Sequence, residues 1–133
     1  MSVTSESIPT FNGSFDDFFA YLSDDGARPT ISPQKYVVLL GMDFQSLAAD
    51  ARVHRNTISR APGSEAVQKY LRDALAVIRA ATDTSGTVEK ALYWFRNNPL
   101  PTFNYKTPQQ IVSGGGAENL IRYLQSLKAG FAG

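Results

Sequence analysis

Side chains that can recognise DNA are concentrated in one stretch of this 133-residue chain. Arginine can bind guanine through two hydrogen bonds, asparagine can bind adenine in the same way, and hydroxyl groups can bind phosphate oxygens. The stretch offers all three types at neighbouring positions, together with the chain's single histidine. The candidate DNA-contacting residues are Gln45, Arg52, His54, Arg55, Asn56, Thr57, Ser59 and Arg60.

Two short helices joined by a tight turn are predicted to position these side chains. Asp43 is a candidate N-cap for the first helix, and apolar residues recur behind it at helical spacing. A buried Val53 in the turn and an inward-facing Ile58 in the second helix complete the pattern of a helix-turn-helix. The apolar face of the first helix comprises Phe44, Leu47, Ala48 and Ala51.

One turn position departs from that pattern. Helix-turn-helix proteins usually place glycine before the buried turn residue, and this chain has Arg52. A left-handed backbone costs roughly 1 kcal/mol for residues other than glycine. Either the turn is reshaped or Arg52 adopts the strained conformation. The alternative interpretation is a helical hairpin whose second helix is merely polar.

Charge is unevenly distributed, although the formal net charge is only +1. Residues 1–51 hold two basic residues against seven acidic ones, whereas residues 52–79 hold six basic against two acidic, a net +4. A local basic patch on the second predicted helix and the segment after it fits a modest DNA binder. An ordinary solvated face is the alternative.

An enzymatic site has little support in the sequence. There is one histidine and no cysteine, so a zinc hydrolase site or a Ser-His-Asp triad would depend on His54 alone, and no metal, cofactor or catalytic residue is expected. The acidic pairs 16–17 and 24–25 resemble helix caps. The glycine run 114–116 follows no strand and lacks the lysine of a phosphate-binding loop, which favours a connector.

Composition indicates a folded, cytoplasmic protein. The hydrophobic fraction of 43% suits a globular chain, and the lack of cysteine suits a reducing compartment. No apolar run approaches the roughly 20 residues needed to span a bilayer, and the first ten residues do not resemble a signal peptide.

The remaining segments predict an all-α fold. Helices are expected over 14–22, 33–40, 65–81, 88–97, 107–111 and 117–129, with an extended loop at 98–106 and a tail at 130–133. The expected organisation is a loose arm (1–13), a helix-turn-helix domain (14–63), a connecting helix (64–83) and a small helical domain (84–133). In that last domain, Trp94 is expected in the core, whereas Phe103, Tyr105 and Phe131 are expected to be partly exposed anchors of a protein interface.

The C-terminal block carries a family resemblance. It combines Trp94-Phe95, an Asn-Pro-Leu-Pro loop at 98–101, a Thr-Pro helix start at 107–108 and a Leu-Ile-X-Tyr-Leu helix at 120–124. Following the candidate helix-turn-helix, this pattern resembles the Xre/MbcA/ParS-type antitoxins. The resemblance covers residues 44–133, two thirds of the chain.

The resemblance implies a function. Such antitoxins pair an Xre-like helix-turn-helix with a C-terminal domain that binds a RES-domain toxin, which consumes NAD or ADP-ribosylates a protein. The end of the chain covers the toxin's NAD site, and a homodimer represses the operon by binding operator DNA. The toxin-binding residues implied here are Phe103, Tyr105, Lys106, Arg122, Tyr123, Lys128, Gly130 and Phe131.

Two other functions remain open. One is a stand-alone transcription regulator whose C-terminal domain senses something other than a toxin. The other is a structural interaction module that retains a vestigial helix-turn-helix. Because Arg52 departs from the usual glycine, intrinsic DNA affinity is the property that this departure affects most.

Overall fold

A computed structural model describes residues 10–24 and 29–132, with side chains through Ala129. Helices hold 72% of these residues, so the mainly helical class is confirmed. The helices are α1 (Phe15–Leu22), α2 (Pro33–Leu40), α3 (Phe44–Ala51), α4 (Arg55–Arg60), α5 (Glu65–Ser85), α6 (Val88–Asn97), α7 (Pro108–Ser113) and α8 (Ala117–Ala132).

The long helix α5 organises the core. Its apolar side chains form a stripe that is buried along the length of the helix, and α5 packs against α3, α6, α7 and α8. The buried side chains of the described residues form one hydrophobic cluster that reaches from Phe11 to Leu124. The proposed domain boundaries remain predictions, and the cluster includes residues from each of the proposed segments.

The segment before α1 differs from the predicted loose arm. Phe11 is buried and meets Phe18 edge-on, with ring centroids 5.5 Å apart. The carbonyl of Gly13 accepts a hydrogen bond from the backbone N–H of Val88 at 3.1 Å. Residues 10–13 are thus part of the packed structure, because burial of the Phe11 ring in the core is favourable even though the surrounding segment is polar. The arm over residues 1–9 lies outside the described residues.

A two-stranded ribbon lies between α1 and α2 in a chain that is predicted to be all-α. Strands β1 (Ser23–Asp24) and β2 (Thr30–Ile31) pair antiparallel. Gln68 of α5, which is buried, binds the ribbon: its side-chain amide accepts from the Ile31 N–H and donates to the Ile31 carbonyl, both at 2.9 Å. The same amide nitrogen lies 2.9 Å from the carbonyl of Pro62, which links the ribbon to the end of α4.

Two helices in the middle of the chain run further than predicted. Helix α5 continues from the predicted end at 81 to Ser85, and Thr82 donates its hydroxyl to the carbonyl of Ile78 at 2.8 Å within it. Helix α7 ends at Ser113 rather than 111, and the glycine run follows directly. A Cβ on Gly116 would lie 2.8 Å from the Ile111 side chain, so this connector approaches α7 too closely for a side chain.

Candidate DNA-facing and partner-facing surfaces

Helix α3 begins as the sequence predicts. The Asp43 carboxylate accepts a hydrogen bond from the Ser46 N–H at 2.8 Å, and this bond is the main reason that the pKa of Asp43 lies below its usual value. Leu47 and Ala48 are buried, whereas Gln45 is exposed. Gln45 thus lies on the solvent side of the first turn of α3.

Arg52 adopts the strained conformation that the sequence left as one of two options. Its φ of 59° and ψ of 43° are left-handed, and its backbone N–H caps α3 by bonding to the carbonyls of Ala48 and Ala49. The cost of roughly 1 kcal/mol is opposed by a second contact: the Arg52 Nε donates to the Ser113 carbonyl at 3.0 Å. An arginine at the carbonyl end of α7 is also favoured by the helix dipole.

That contact bears on the predicted DNA-binding role of Arg52. The Arg52 Nε group donates its hydrogen bond to the end of α7, in the C-terminal half of the chain. The side chain is therefore directed toward α7. The structure therefore gives Arg52 an internal partner that the sequence did not predict. Its role toward DNA stays a prediction.

Helix α4 presents most of the other predicted DNA-contacting residues at the surface. Ile58 is 1% exposed and anchors the helix to the core, as predicted. His54 is the N-cap, and its Nδ1 accepts a hydrogen bond from the Asn56 N–H at 3.1 Å. Thr57 is half-buried, whereas the exposed side chains are those of His54, Arg55, Asn56, Ser59 and Arg60. Val53, in the turn, is half-buried rather than fully buried.

The loop between α6 and α7 is compact, so its prediction as extended was wrong. A 3₁₀ turn (Pro101–Phe103) lies within it, and Leu100 and Lys106 pair as an isolated bridge in which the Leu100 N–H donates to the Lys106 carbonyl at 3.0 Å. The two prolines exclude an α-helix but do not exclude a tight turn. Asn104 and Tyr105 both have left-handed backbones, with φ of 59° and 64°.

This loop packs on α8 through aromatic rings. Phe103 is half-buried and meets Tyr123 edge-on, with centroids 5.5 Å apart and an interplanar angle of 90°. Tyr105 is 69% exposed, and Lys106 is exposed beside it. Four of the predicted toxin-binding residues thus come from two elements that the Phe103–Tyr123 contact joins.

The remaining predicted toxin-binding residues lie along α8. Arg122 is exposed and bonds to Asn119 at 2.8 Å and to Glu118 at 3.5 Å, and Lys128 is exposed. The predicted tail was wrong in part, because α8 continues through Gly130 and Phe131 to Ala132. The side chains from residue 130 onward, and Gly133 altogether, lie outside the described residues.

Helix α7 begins at the Thr-Pro pair that the sequence predicts as a helix start. The Thr107 hydroxyl accepts from the Gln110 N–H at 3.2 Å, and the Gln110 side chain accepts from the Thr107 N–H at 2.9 Å. Pro108 occupies the first helical position, where its missing N–H costs nothing. This reciprocal cap fixes the direction in which α7 leaves the loop.

A polar junction between α3 and α7 joins the two candidate surfaces, and no pattern in the sequence predicts it. The Gln109 amide donates to the Asp50 carboxylate at 2.7 Å, and the Ser113 hydroxyl donates to the Asp50 carbonyl at 2.8 Å. Together with the Arg52–Ser113 bond, these residues are called the α3–α7 junction. Burial raises the pKa of Asp50, against the lowering effect of its hydrogen bonds. The hydroxyls of Tyr36 and Tyr70 lie close to this carboxylate, and burial raises the pKa of both.

No family model, curated protein or solved structure matches the chain. In residues 10–24 and 29–132, no three acidic or histidine side chains are grouped so that they could hold a metal ion. Over those same residues, no helix has the length and apolar character required to cross a bilayer.

Proposed function

We propose that this chain is the antitoxin of a RES-domain toxin, with α3 and α4 as its helix-turn-helix and the α6–α8 region as its toxin-binding part. The observation that carries the proposal is the joint surface of the loop and α8. Phe103 packs on Tyr123, and Tyr105 and Lys106 stand exposed next to them. Rigid, exposed aromatic residues flanked by basic ones are typical anchors of a protein interface.

Exposed cations on α8 add positive charge to this surface. In the proposed complex, Arg122 and Lys128 pair with acidic groups of the toxin that border its NAD site. The proposed inhibition is steric: the end of α8 covers the mouth of the NAD site. Within α8, Arg122 contacts Glu118 and Asn119.

The proposal assigns operator binding to α4. Arg55, Asn56, Ser59 and Arg60 are exposed on a helix that Ile58 fixes to the core, which is the arrangement that base and phosphate contacts require. A single six-residue helix gives little operator affinity by itself, so repression is proposed to act through a homodimer on paired half-sites.

The deciding experiment is co-purification of this chain with the product of the adjacent gene, followed by measurement of NAD consumption. A tight complex whose NAD turnover starts only when this chain is removed would support the proposal. Deletion of residues 130–133 should then restore NAD turnover while leaving DNA binding unchanged. If the deletion leaves inhibition unchanged, the steric mechanism is wrong.

A second candidate function is a stand-alone transcription regulator. The exposed polar face of α4 favours it, because DNA binding through that face does not depend on a toxin. Salt-sensitive DNA binding by this chain alone, without a stable protein partner from the adjacent gene, would favour this alternative.

A further inference from the structure

The turn that joins α3 to α4 is short, and one residue in it has an unusual backbone. Only Arg52, Val53 and His54 connect the two helices, and Arg52 is left-handed, with φ of 59° and ψ of 43°. Ile58 is the one buried residue of α4, so the core holds this helix at a single point. The direction in which α4 leaves the turn therefore depends on the backbone torsions of these three residues.

Two backbone hydrogen bonds accompany the left-handed conformation. The Arg52 N–H donates to the Ala49 carbonyl at 3.2 Å, and the Val53 N–H donates to the Ala48 carbonyl at 3.0 Å. Such bonds are the usual end of a helix that is followed by a left-handed residue, and that residue is usually glycine because glycine has no Cβ. For arginine the conformation is unfavourable, so a further contact must stabilise it.

Helix α7 supplies such a contact. The Arg52 Nε donates to the Ser113 carbonyl at 3.0 Å, and carbonyls in the last turn of a helix lack partners within that helix. Helix α7 is itself held against α3, since Gln109 and Ser113 donate to the carboxylate and the carbonyl of Asp50 at 2.7 and 2.8 Å. Gln109 and Ser113 are four residues apart, so one face of α7 makes these contacts.

We propose that Arg52 is a positioning residue for operator binding: its bond to the Ser113 carbonyl holds the turn left-handed and thereby sets the direction of α4 toward DNA. This inference rests on the proposed binding of operator DNA by α4. It differs from the direct DNA contact that the sequence predicts for Arg52. Loss of the bond lowers the fraction of chains in which α4 is competent to bind, and the apparent affinity falls with that fraction.

Alanine and glycine at position 52 separate the two roles. Both variants lose the arginine side chain, but only glycine adopts the left-handed backbone readily. Arg52→Ala should weaken binding to a labelled duplex of the promoter region of the chain's own operon by about fivefold or more, whereas Arg52→Gly should stay within about twofold of the unmodified chain. Fluorescence anisotropy of the full chain measures both affinities, and circular dichroism confirms that each variant is folded.

The salt dependence of binding separates positioning from direct contact with phosphate. A side chain that contacts a phosphate contributes about one unit to the slope of log affinity against log salt concentration. If Arg52 positions α4, the slope for Arg52→Gly should equal that of the unmodified chain. Arg60→Ala is the matched control, because it removes an exposed arginine that α4 is proposed to place on DNA. Its slope should be smaller by about one unit.

Hydrogen exchange at Val53 tests the turn without DNA. The Val53 N–H is bonded to Ala48 in the left-handed turn, so its protection factor reports on that conformation. The amide of Ile78, which is buried in α5, serves as the reference for opening of the core. Arg52→Ala should lower the Val53 protection relative to Ile78 by about fivefold or more, whereas Arg52→Gly should leave it within about twofold.

The inference is overturned if Arg52→Ala leaves the Val53 protection unchanged, or if Arg52→Gly weakens DNA binding as much as Arg52→Ala does. A smaller salt slope for Arg52→Gly would equally overturn it, because Arg52 would then contact phosphate directly. If the unmodified chain binds no such duplex, the proposed function of α4 fails and the positioning role fails with it. Faster exchange at Val53 in Arg52→Ala would still show that Arg52 holds the turn.

Discussion

The side-chain amide of Gln68 pairs with the backbone of Ile31 as a neighbouring strand would, accepting from its N–H and donating to its carbonyl, both at 2.9 Å. The third bond, to the Pro62 carbonyl, connects the same side chain to the end of α4. A buried amide from α5 thus fixes the ribbon and the start of the segment that follows α4. Loss of this amide would leave buried backbone groups without partners.

The first prediction follows from that geometry. Gln68→Ala should lower the free energy of unfolding by at least about 2 kcal/mol, since each buried group left unpaired costs about 1–3 kcal/mol. Chemical denaturation monitored by circular dichroism measures the change. Gln125→Ala, an exposed glutamine on α8, is the control and should stay within about 0.5 kcal/mol of the unmodified chain. Equal stability of both variants would show that Gln68 is not structurally required.

The second prediction concerns Asp50. Because burial raises its pKa in the folded protein, its protonated form stabilises the fold below the ordinary aspartate pKa of about 3.9, and this stabilisation is lost as the pH rises through the raised value. Asp50→Asn can still accept the Gln109 hydrogen bond but never ionises. The stability of this variant relative to the unmodified chain should therefore increase as the pH rises from 3 to about 7.

Asp43 offers a control of opposite sign. Its pKa is lowered by the Ser46 hydrogen bond, so its contribution is present above the ordinary aspartate pKa and is lost as the pH falls. Thermal denaturation of Asp43→Asn over the same pH series should show a relative loss of stability toward neutral pH. Parallel pH profiles for the two variants would contradict the assigned environments.

The third prediction tests α4. Arg55→Ala and Asn56→Ala should each weaken operator binding by about 1–3 kcal/mol if their side chains read bases, and the pair should leave toxin inhibition intact. Fluorescence anisotropy with labelled operator DNA at fixed salt measures the loss. Lys90→Ala on α6 is a control of similar exposure. Unchanged DNA affinity in the double variant would reject α4 as the recognition helix.

The fourth prediction compares two exposed tyrosines. Tyr105 is 69% exposed beside the Phe103–Tyr123 contact, and Tyr93 is 72% exposed on α6. If the loop surface binds the toxin, Tyr105→Ala should weaken the complex by about 2 kcal/mol or more, as truncation of an aromatic anchor does. Tyr93→Ala should have little effect on the affinity for the toxin. Calorimetric titration of each variant with the toxin measures both affinities. The reverse ranking would move the interface to α6.

Local signals in the sequence predicted most helix starts but fewer helix ends. Caps at Asp43 and Thr107 act within one turn, so they can be read directly, and the α5 stripe repeats over several turns. The end of α5 was misplaced because Thr82 and Thr84 satisfy their hydroxyls on carbonyls of the preceding turn, at 2.8 and 3.3 Å, and so do not break the helix.

Long-range features could not be predicted from the sequence. Two-residue strands are too short to show alternation, so the β1–β2 ribbon left no pattern. The α3–α7 junction joins residues about sixty positions apart through ordinary polar side chains. At the candidate surfaces, the exposure of Arg55 and Tyr105 was predicted, whereas the use of the Arg52 side chain against Ser113 was not.

The central position of α5 has a consequence during synthesis on the ribosome. Helices α1 to α4 leave the ribosome before α5 does, and their apolar side chains, such as Phe18 and Leu47, have no α5 to pack against until it emerges. At about 5–20 residues per second, that interval lasts seconds. Proteases and chaperones are therefore expected to recognise this chain mainly during the interval in which only its first half has emerged.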